Sequence, residues 1–249
     1  MRFFKRLFEE NDKIYQNNAT KLRHNLRPYR TKKELIERFG GEGLDKQLDL
    51  VGIIGVKRWC TNLEKAEISF GENLVFPIQV IGTFSHSSGT WLWAWANKEF
   101  DFLTNIKQHA LELKKYGEEN KIDLLIDGKF SGQKSDMHLI GLIASGIFTS
   151  SGYYIANDGD TSMVITIKSK KIDRARKDNH QRIFTVFPQL ISLFEMNHNT
   201  AFINYLIARG YTISESKQTL MGTKNGNVIT AKFDEQSRLI KLEGSDHKK

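Results

Sequence analysis

Three tryptophans alternate with small or aliphatic residues in one short stretch of the chain, and no other feature constrains the fold as much. Residues 90–97 read T-W-L-W-A-W-A-N. Residues two positions apart lie on the same face of a β-strand, whereas in a helix they point about 200° apart. The spacing therefore predicts a strand over residues 90–97, with Trp91, Trp93 and Trp95 on one face.

The aromatic face of this strand has two explanations, and the sequence leaves both open. Exposed indole rings form flat platforms on which bases, sugars or cationic groups stack. Buried rings instead fill a core, because an aromatic side chain buries roughly 150–250 Å². The candidate binding residues are the three tryptophans, the asparagine that ends the stretch and a histidine in the turn before it: Trp91, Trp93, Trp95, Asn97 and His86.

Segments on both sides of the tryptophan strand predict further strands. Residues 66–70 and 74–84 are rich in β-branched and aromatic side chains, and short turns connect them to each other and to the tryptophan strand. Residues 153–155 and 163–167 predict two more strands, joined by the turn N-D-G-D at 157–160. Strands joined by such short connections pair antiparallel. The sequence therefore predicts a mainly antiparallel sheet.

Helical patterns flank these strands. They cover residues 1–26, 31–39, 101–116 and 136–148. Thr31 is the expected N-cap of the second helix, and Gly40 and Gly41 are expected to end it. Gly117 is expected to end the third. The predicted fold class is α+β, with an N-terminal helical pair ahead of the sheet.

The chain divides into three predicted units. Residues 1–42 form the N-terminal helices, 43–168 the central α+β domain, and 178–249 a small C-terminal appendage, with residues 168–177 between the last two. The appendage is predicted as two helices followed by a β-meander. Pro188 fits the first turn of one helix, and Gly210 fits the position just after the other. Asn225-Gly226 is a strong hairpin signal.

Residues 90–97 also carry a family resemblance. They resemble the T-W-x-W-A-W-A-N core that marks a family of uncharacterised bacterial domains, and the likeness extends to F-S at 84–85, Y-G at 116–117 and G-Y-Y at 152–154. It covers about residues 44–167. The resemblance implies a bacterial or phage-like origin, and it brings no established activity or catalytic residue.

The connection at residues 168–177, here called the basic joint, is crowded with cations. Its candidate nucleic-acid contacts are Lys168, Lys170, Lys171, Arg174, Arg176 and Lys177. Each phosphate that such residues neutralise adds affinity and salt dependence. A run of charge is also typical of a solvated linker or helix face. The formal net charge of +8 permits a nucleic acid, an acidic protein or anionic lipid as partner and does not choose among them.

Cysteine, metal and membrane signals are sparse in the sequence. Cys60 is the single cysteine, so no intramolecular disulfide forms, and the histidines lack metal-ligand spacing. No metal and no cofactor are expected. The N-terminal pattern carries Arg2, Lys5 and Arg6 among apolar residues. It predicts docking on protein, with contact to a membrane surface as the alternative. These features favour a cytoplasmic protein.

One weak enzymatic signal is present. Asp127-Gly128-Lys129 follows an apolar segment, and a D-x-K triplet at the end of a strand occurs in some Mg²⁺-dependent nuclease sites. The partner carboxylate would be Asp123, Glu118 or Glu112.

Three functions of different class remain open from the sequence. The first is a non-catalytic protein-interaction protein of the bacterial cytoplasm, such as an immunity or accessory protein of a toxin or defence system. The second is a nucleic-acid-binding protein that uses the basic joint and the tryptophan face. The third is a nuclease. No catalytic residue is assigned.

Overall fold

The computed structural model describes residues 29–175 and 179–245 of the chain. The helix predicted over residues 1–26 lies outside this range, as do Arg176 and Lys177 of the basic joint. The described residues form an α+β fold with two antiparallel sheets. The predicted fold class is therefore confirmed.

The described residues contain seven α-helices and eleven strands. The helices are α1 (Lys32–Ile54), α2 (Gln108–Asn120), α3 (Asp123–Ile126), α4 (Lys134–Ile147), α5 (Lys170–Ala175), α6 (Ile183–Leu193) and α7 (His198–Ala208). The strands are β1 (Trp59–Asn62), β2 (Glu67–Phe70), β3 (Leu74–Ser85), β4 (Thr90–Trp93), β5 (Lys129–Ser131), β6 (Gly152–Asp158), β7 (Thr161–Ile167), β8 (Thr212–Ser216), β9 (Thr219–Lys224), β10 (Asn227–Phe233) and β11 (Leu239–Ser245). Short 3-10 turns precede α2 and α6.

The long strand β3 organises the larger sheet. It pairs antiparallel with β2 through its first residues and with β4 and β7 through its later ones. β1 pairs with β2, β5 with β4, and β6 with β7. The four strands β8 to β11 form the second sheet in the order β11-β10-β9-β8. The predicted meanders are confirmed, and β1, β5 and β8 are strands that the sequence did not predict.

The helix α1 packs between the two halves of the molecule. One continuous apolar cluster joins Leu35 and Phe39 of α1 to Trp91 of the larger sheet and to Phe187 and Phe202 of α6 and α7. A second cluster lies around Leu50 and Ile54, at the other end of α1. Helix α1 thus contributes to both cores, and the C-terminal helices share the first of them.

The prediction that Gly40 and Gly41 end a helix is wrong. Helix α1 begins after Thr31, whose Oγ1 accepts from the backbone N–H of Glu34 at 3.1 Å as expected of an N-cap, but it runs for 23 residues. A Cβ on Gly41 would lie 2.7 Å from Cβ of Tyr205 in α7, and one on Gly43 would lie 2.7 Å from the backbone O of Leu142 in α4. These glycines allow neighbouring helices to pack closely and do not end the helix.

Two further boundaries differ from prediction for similar reasons. Helix α2 begins at Gln108 and continues past Gly117. Gly117 instead permits close packing, because a Cβ there would lie 2.5 Å from Cβ of Leu125. Lys121 ends α2 in the left-handed conformation. Pro188 lies inside α6, because a 3-10 turn at His180–Arg182 leads into the helix earlier than predicted.

Two turns follow the sequence closely. Gly210, just after α7, has a φ of 78°, as expected for a residue that ends a helix. Asn225 and Gly226 have φ values of 50° and 81° between β9 and β10. A two-residue type I′ hairpin turn requires a positive φ at both central residues, and the pair Asn-Gly favours this turn.

A buried ion-pair network fastens α1 to the C-terminal part of the chain. The carboxylate of Asp45 accepts from Arg209 Nη1 at 2.7 Å, and its other oxygen forms an ion pair with Arg182 Nε at 3.0 Å. Arg182 Nη1 also donates to Asp49 Oδ1 at 2.7 Å. Asp45 has no exposed surface. Charges buried this deeply are tolerated because each side finds opposite charge and hydrogen bonds.

Candidate binding cleft

The tryptophan stretch is split between the core and a turn. Strand β4 ends at Trp93, so the prediction of a strand through Asn97 is wrong. The backbone N–H of Ala96 donates to the carbonyl of Trp93 at 2.9 Å, which closes a turn. Trp91 and Trp93 have no exposed surface, and their rings meet edge to face at 5.4 Å. Neither ring offers a face to a ligand.

The other tryptophan-stretch residues also serve local structure. Trp95 is half-buried, and the ammonium of Lys114 lies 4.6 Å from its ring centroid. Asn97 is buried, and its Oδ1 accepts from the backbone N–H of Glu99 at 3.0 Å. The candidate residues of this stretch therefore do not form one aromatic surface.

His86 lies apart from them in the turn between β3 and β4. Its Nε2 lies 2.8 Å from Oγ of Ser162, which in turn donates to Oδ1 of Asn157 at 3.3 Å. The neighbouring carboxylate of Asp160 accepts from the hydroxyl of Ser87 at 2.7 Å. Hydrogen bonds from Ser87 and Ser85 lower the pKa of Asp160. These contacts hold the β3–β4 and β6–β7 turns together.

The described part of the basic joint is helix α5. Lys168 precedes it and is engaged, since its Nζ donates to the carbonyl of Thr149 at 2.7 Å and pairs with Asp173 at 2.9 Å. Lys170, Lys171 and Arg174 are exposed. Half of the predicted cations are therefore presented to solvent on one short helix.

The apolar segment before the D-x-K triplet is a helical turn, α3, whereas the nuclease hypothesis places such a triplet at the end of a strand. Asp123 and Asp127 begin and follow this turn, and both are exposed. Within residues 29–175 and 179–245, no group of three or more His, Cys, Asp or Glu side chains is placed to hold a metal ion. None of the helices described is long and apolar enough to cross a membrane.

A cleft of about 810 Å³ opens where three segments distant in sequence meet. The segments are the start of α1, the connection from β5 into α4, and the end of α6. The described residues that line it are Thr31, Lys32, Lys33, Ile36, Ser131, Gly132, Gln133, Ser135, Asp136, Leu139, Leu193, Phe194 and Glu195. Clefts of roughly 300–1,000 Å³ are typical of ligand sites.

One side of the cleft is apolar. Ile36 and Leu139 are buried beneath it, and Phe194 is half-buried. Leu193, the last residue of α6, is 53% exposed at its edge. An exposed leucine beside buried apolar side chains extends the core to the surface. The cleft can therefore cover an apolar group of a bound molecule.

The other side of the cleft is polar and is held in place by the starts of two helices. Asp136 accepts from the backbone N–H of Gln133 at 2.8 Å, which fixes the first turn of α4. Its other oxygen lies 3.7 Å from Nζ of Lys32 in α1. The positive ends of α1 and α4 thus lie side by side, where helix dipoles favour negative charge.

Sequence reasoning missed this cleft. It identified Thr31, but only as an N-cap. The three segments carry no shared motif, and they become neighbours only because the glycines of α1 let this helix pack closely on α4 and α7. Leu193 also gives no signal in the sequence, because single exposed leucines are common on protein surfaces.

A family match accompanies this geometry. The family described as "Family of unknown function (DUF6882)" matches residues 33–170, which is more than half of the chain. The chain belongs to this family. The expected membership of a family of unknown function is thereby confirmed, and residues 90–97 lie inside the matched region. No curated protein and no solved structure matches the chain.

The DUF6882 region supplies only part of the cleft. The walls formed by α1 from Lys33 onward and by the β5–α4 connection lie inside the matched residues. Leu193, Phe194 and Glu195 lie beyond its end at residue 170. The cleft of this DUF6882 protein is therefore completed by the end of α6 and the residues that follow it.

Proposed function

We propose that this DUF6882 protein is a non-catalytic protein-interaction protein and that the cleft is its binding site. The observation that carries the proposal is the cleft's composition: an apolar wall open to solvent at Leu193, beside a polar wall built on two helix starts. Protein-binding surfaces combine an apolar centre, which supplies most of the affinity, with a polar rim.

The proposed setting is the bacterial cytoplasm, in an immunity or accessory role within a toxin or defence system. The tryptophan motif supports the bacterial setting, because the resemblance that it carries is to bacterial domains. The single free cysteine, exposed Cys60, suits a reducing compartment. The immunity role is an analogy with small bacterial domains of this kind.

Two matched substitutions test the cleft as the interaction site. Leu193→Glu places a charge on the apolar wall, and Val51→Glu makes the same kind of change on α1 outside the cleft. The two side chains are 53% and 50% exposed, so neither change is expected to disturb folding. A tagged protein would be used to capture partners from its host with and without nuclease treatment, with mass spectrometry as the readout.

The expected result is a nuclease-resistant protein partner that the wild type and Val51→Glu capture and Leu193→Glu loses. With purified partner, calorimetry should show binding to Leu193→Glu weakened by about tenfold or more, because the substitution places a charge against the apolar part of the interface. Equal capture by all three proteins would refute the cleft as the site.

Nucleic-acid binding is the second candidate, and the exposure of Lys170, Lys171 and Arg174 on α5 favours it. Binding of a labelled oligonucleotide, followed by fluorescence anisotropy, should then weaken steeply with salt. Changing these three residues and Arg176 together to serine should reduce both the affinity and its salt dependence. Binding that is untouched by the four changes would exclude the basic joint.

A further inference from the structure

The strand β5 leaves one edge of the larger sheet unpaired beside the cleft. It is three residues long, and among the described strands it pairs only with β4. The backbone N–H of Gly132 donates to the carbonyl of Gly89 at 2.9 Å, and that of Trp93 donates to the carbonyl of Gly128 at 3.0 Å. These two bonds set the alternation, so residues 128, 130 and 132 point their backbone groups towards β4.

The intervening residues must then point their backbone groups away from the sheet. These residues are Lys129 and Ser131, and both are exposed. Within the described chain, the backbone N–H and C=O groups of these two residues have no hydrogen-bond partner. An unpaired strand edge of this kind is a template for one more strand.

The free edge of β5 leads directly into the cleft. Ser131 and Gly132 line the cleft, and α4 follows with Leu139 on the apolar wall. Among the described strands, β1, β6, β8 and β11 also have a free edge, but none of their residues lines the cleft. Within the described residues, only at β5 do free backbone groups and an apolar wall lie together.

Charge around this edge selects among possible strands. The cations Lys33, Lys129 and Lys134 are exposed and have no ion-pair partner in the described residues, whereas Lys32 is paired with Asp136. They outnumber Glu195, the one exposed acid in the described lining of the cleft. Lys33 and Lys134 also lie in the first turns of α1 and α4, where the helix dipole adds positive potential.

We infer that the cleft captures an extended, acidic segment of a protein partner, which adds as a strand to the free edge of β5 and places alternate apolar side chains against Leu139 and Leu193. This inference rests on the proposed function, because it names the partner of the same cleft. Strand addition gains affinity from backbone hydrogen bonds and specificity from the side chains of every second residue.

Two substitutions at one position isolate the backbone contribution. Ser131→Pro removes the N–H that faces the free edge, and proline is tolerated at such edge positions. Ser131→Ala removes only the hydroxyl and keeps the N–H. The probe is a peptide selected from a phage-displayed library of short random peptides on the full-length protein, and then synthesised. Only a peptide that does not bind the Leu193→Glu variant is used.

The selected peptides should carry acidic residues and apolar residues at every second position. Binding measured by calorimetry should be equal for the wild type and Ser131→Ala and weaker by about tenfold or more for Ser131→Pro. N-methylation of single peptide amides should abolish binding at every second position only. This last measurement uses the wild-type protein, so it holds even where Ser131→Pro fails to fold.

The outcomes separate the inference from the function on which it rests. Suppose that the selected peptides fail to bind Leu193→Glu but still bind after N-methylation at any position, or still bind Ser131→Pro as tightly as the wild type. Either result would overturn strand addition and leave the cleft as the site. Failure to select any peptide that depends on Leu193 would overturn the inference. Partner capture that Leu193→Glu leaves intact would overturn the proposed function itself.

Discussion

At the scale of single residues, glycines decide where the backbone of this protein comes close to another segment. Gly82 in β3 is the tightest case involving a tryptophan. A Cβ at this position would lie 2.4 Å from Cζ2 of Trp91 and 2.7 Å from the backbone O of Leu92. The buried indole of Trp91 therefore lies across a strand that has room for no side chain at this point.

Gly82→Ala should consequently destabilise the protein by about 1–3 kcal/mol, the usual cost of overfilling a packed core. The matched control is Gly52→Ala, because no atom lies within 4 Å of the Cβ added to this exposed helical glycine. It should stabilise the protein by about 0.5–1 kcal/mol. Urea denaturation measures both. Equal stability of the two variants would contradict the packing described for Trp91.

At the scale of secondary structure elements, the docking of α2 on the larger sheet depends on a histidine. The ring of His109 stacks on Phe148, just after α4, with centroids 3.8 Å apart. Its Nδ1 lies 3.0 Å from Oγ1 of Thr166 in β7. Burial lowers the pKa of His109 to about 4. The contact thus requires a neutral imidazole.

This pKa makes stability depend on pH in a definite direction. The unfolded chain protonates His109 near the ordinary histidine pKa of 6.5, whereas the folded chain resists protonation until about pH 4. Stability from this group is therefore complete above pH 6.5 and is lost as the pH falls towards 4. The pKa difference corresponds to at most about 3 kcal/mol.

His109→Gln should flatten the pH dependence of the unfolding free energy within this window. Urea titrations of the wild type and the variant at several pH values measure it. The difference between the two proteins is the informative quantity, because Glu37 and Glu112 have raised pKa values and add a dependence of opposite sign to both. If the difference in unfolding free energy between the two proteins stayed constant between pH 4 and 6.5, the assignment to His109 would be contradicted.

Element boundaries show why local patterns reached only part of this fold. The α4 helix, the β9–β10 hairpin and the N-cap Thr31 were predicted correctly, because each depends on a few adjacent residues. The stop at Gly40 and Gly41 was wrong because a glycine pair also permits close helix packing, and only the contact with Tyr205 distinguishes the two uses. Likewise, the strand through Asn97 was wrong because a turn begins at Trp93.

At the scale of the whole molecule, the buried charges of Asp45, Arg182 and Arg209 connect the central part of the chain to its C-terminal part. Asp45 lies on α1, and the two arginines lie before α6 and after α7. Removing one member of a buried charge network leaves the others without compensation, which costs about 3–5 kcal/mol. The division at residue 178 into a separate C-terminal unit stays a prediction.

Asp45→Asn should therefore lower the free energy of unfolding by about 3–5 kcal/mol. The matched control is Glu243→Gln, which removes the same charge from an ion pair with Lys241. The side chain of Glu243 is 54% exposed and that of Lys241 is 55% exposed. Exposed pairs contribute little, about 0–1 kcal/mol. Thermal or urea denaturation compares the two. A control that costs as much as Asp45→Asn would show that the network does not anchor α1.

By itself, the sequence determined the fold class, the antiparallel meanders, the family and the alternation that puts Trp91 and Trp93 on one face, because each follows from the spacing of nearby side chains. Only the tertiary structure decided which tryptophans lie in the core and where a binding cleft opens. The cleft joins Lys33, Ser131 and Leu193, and no local pattern relates residues so distant. Helix α1 brings them together, because its glycines let it pack closely against α4 and α7.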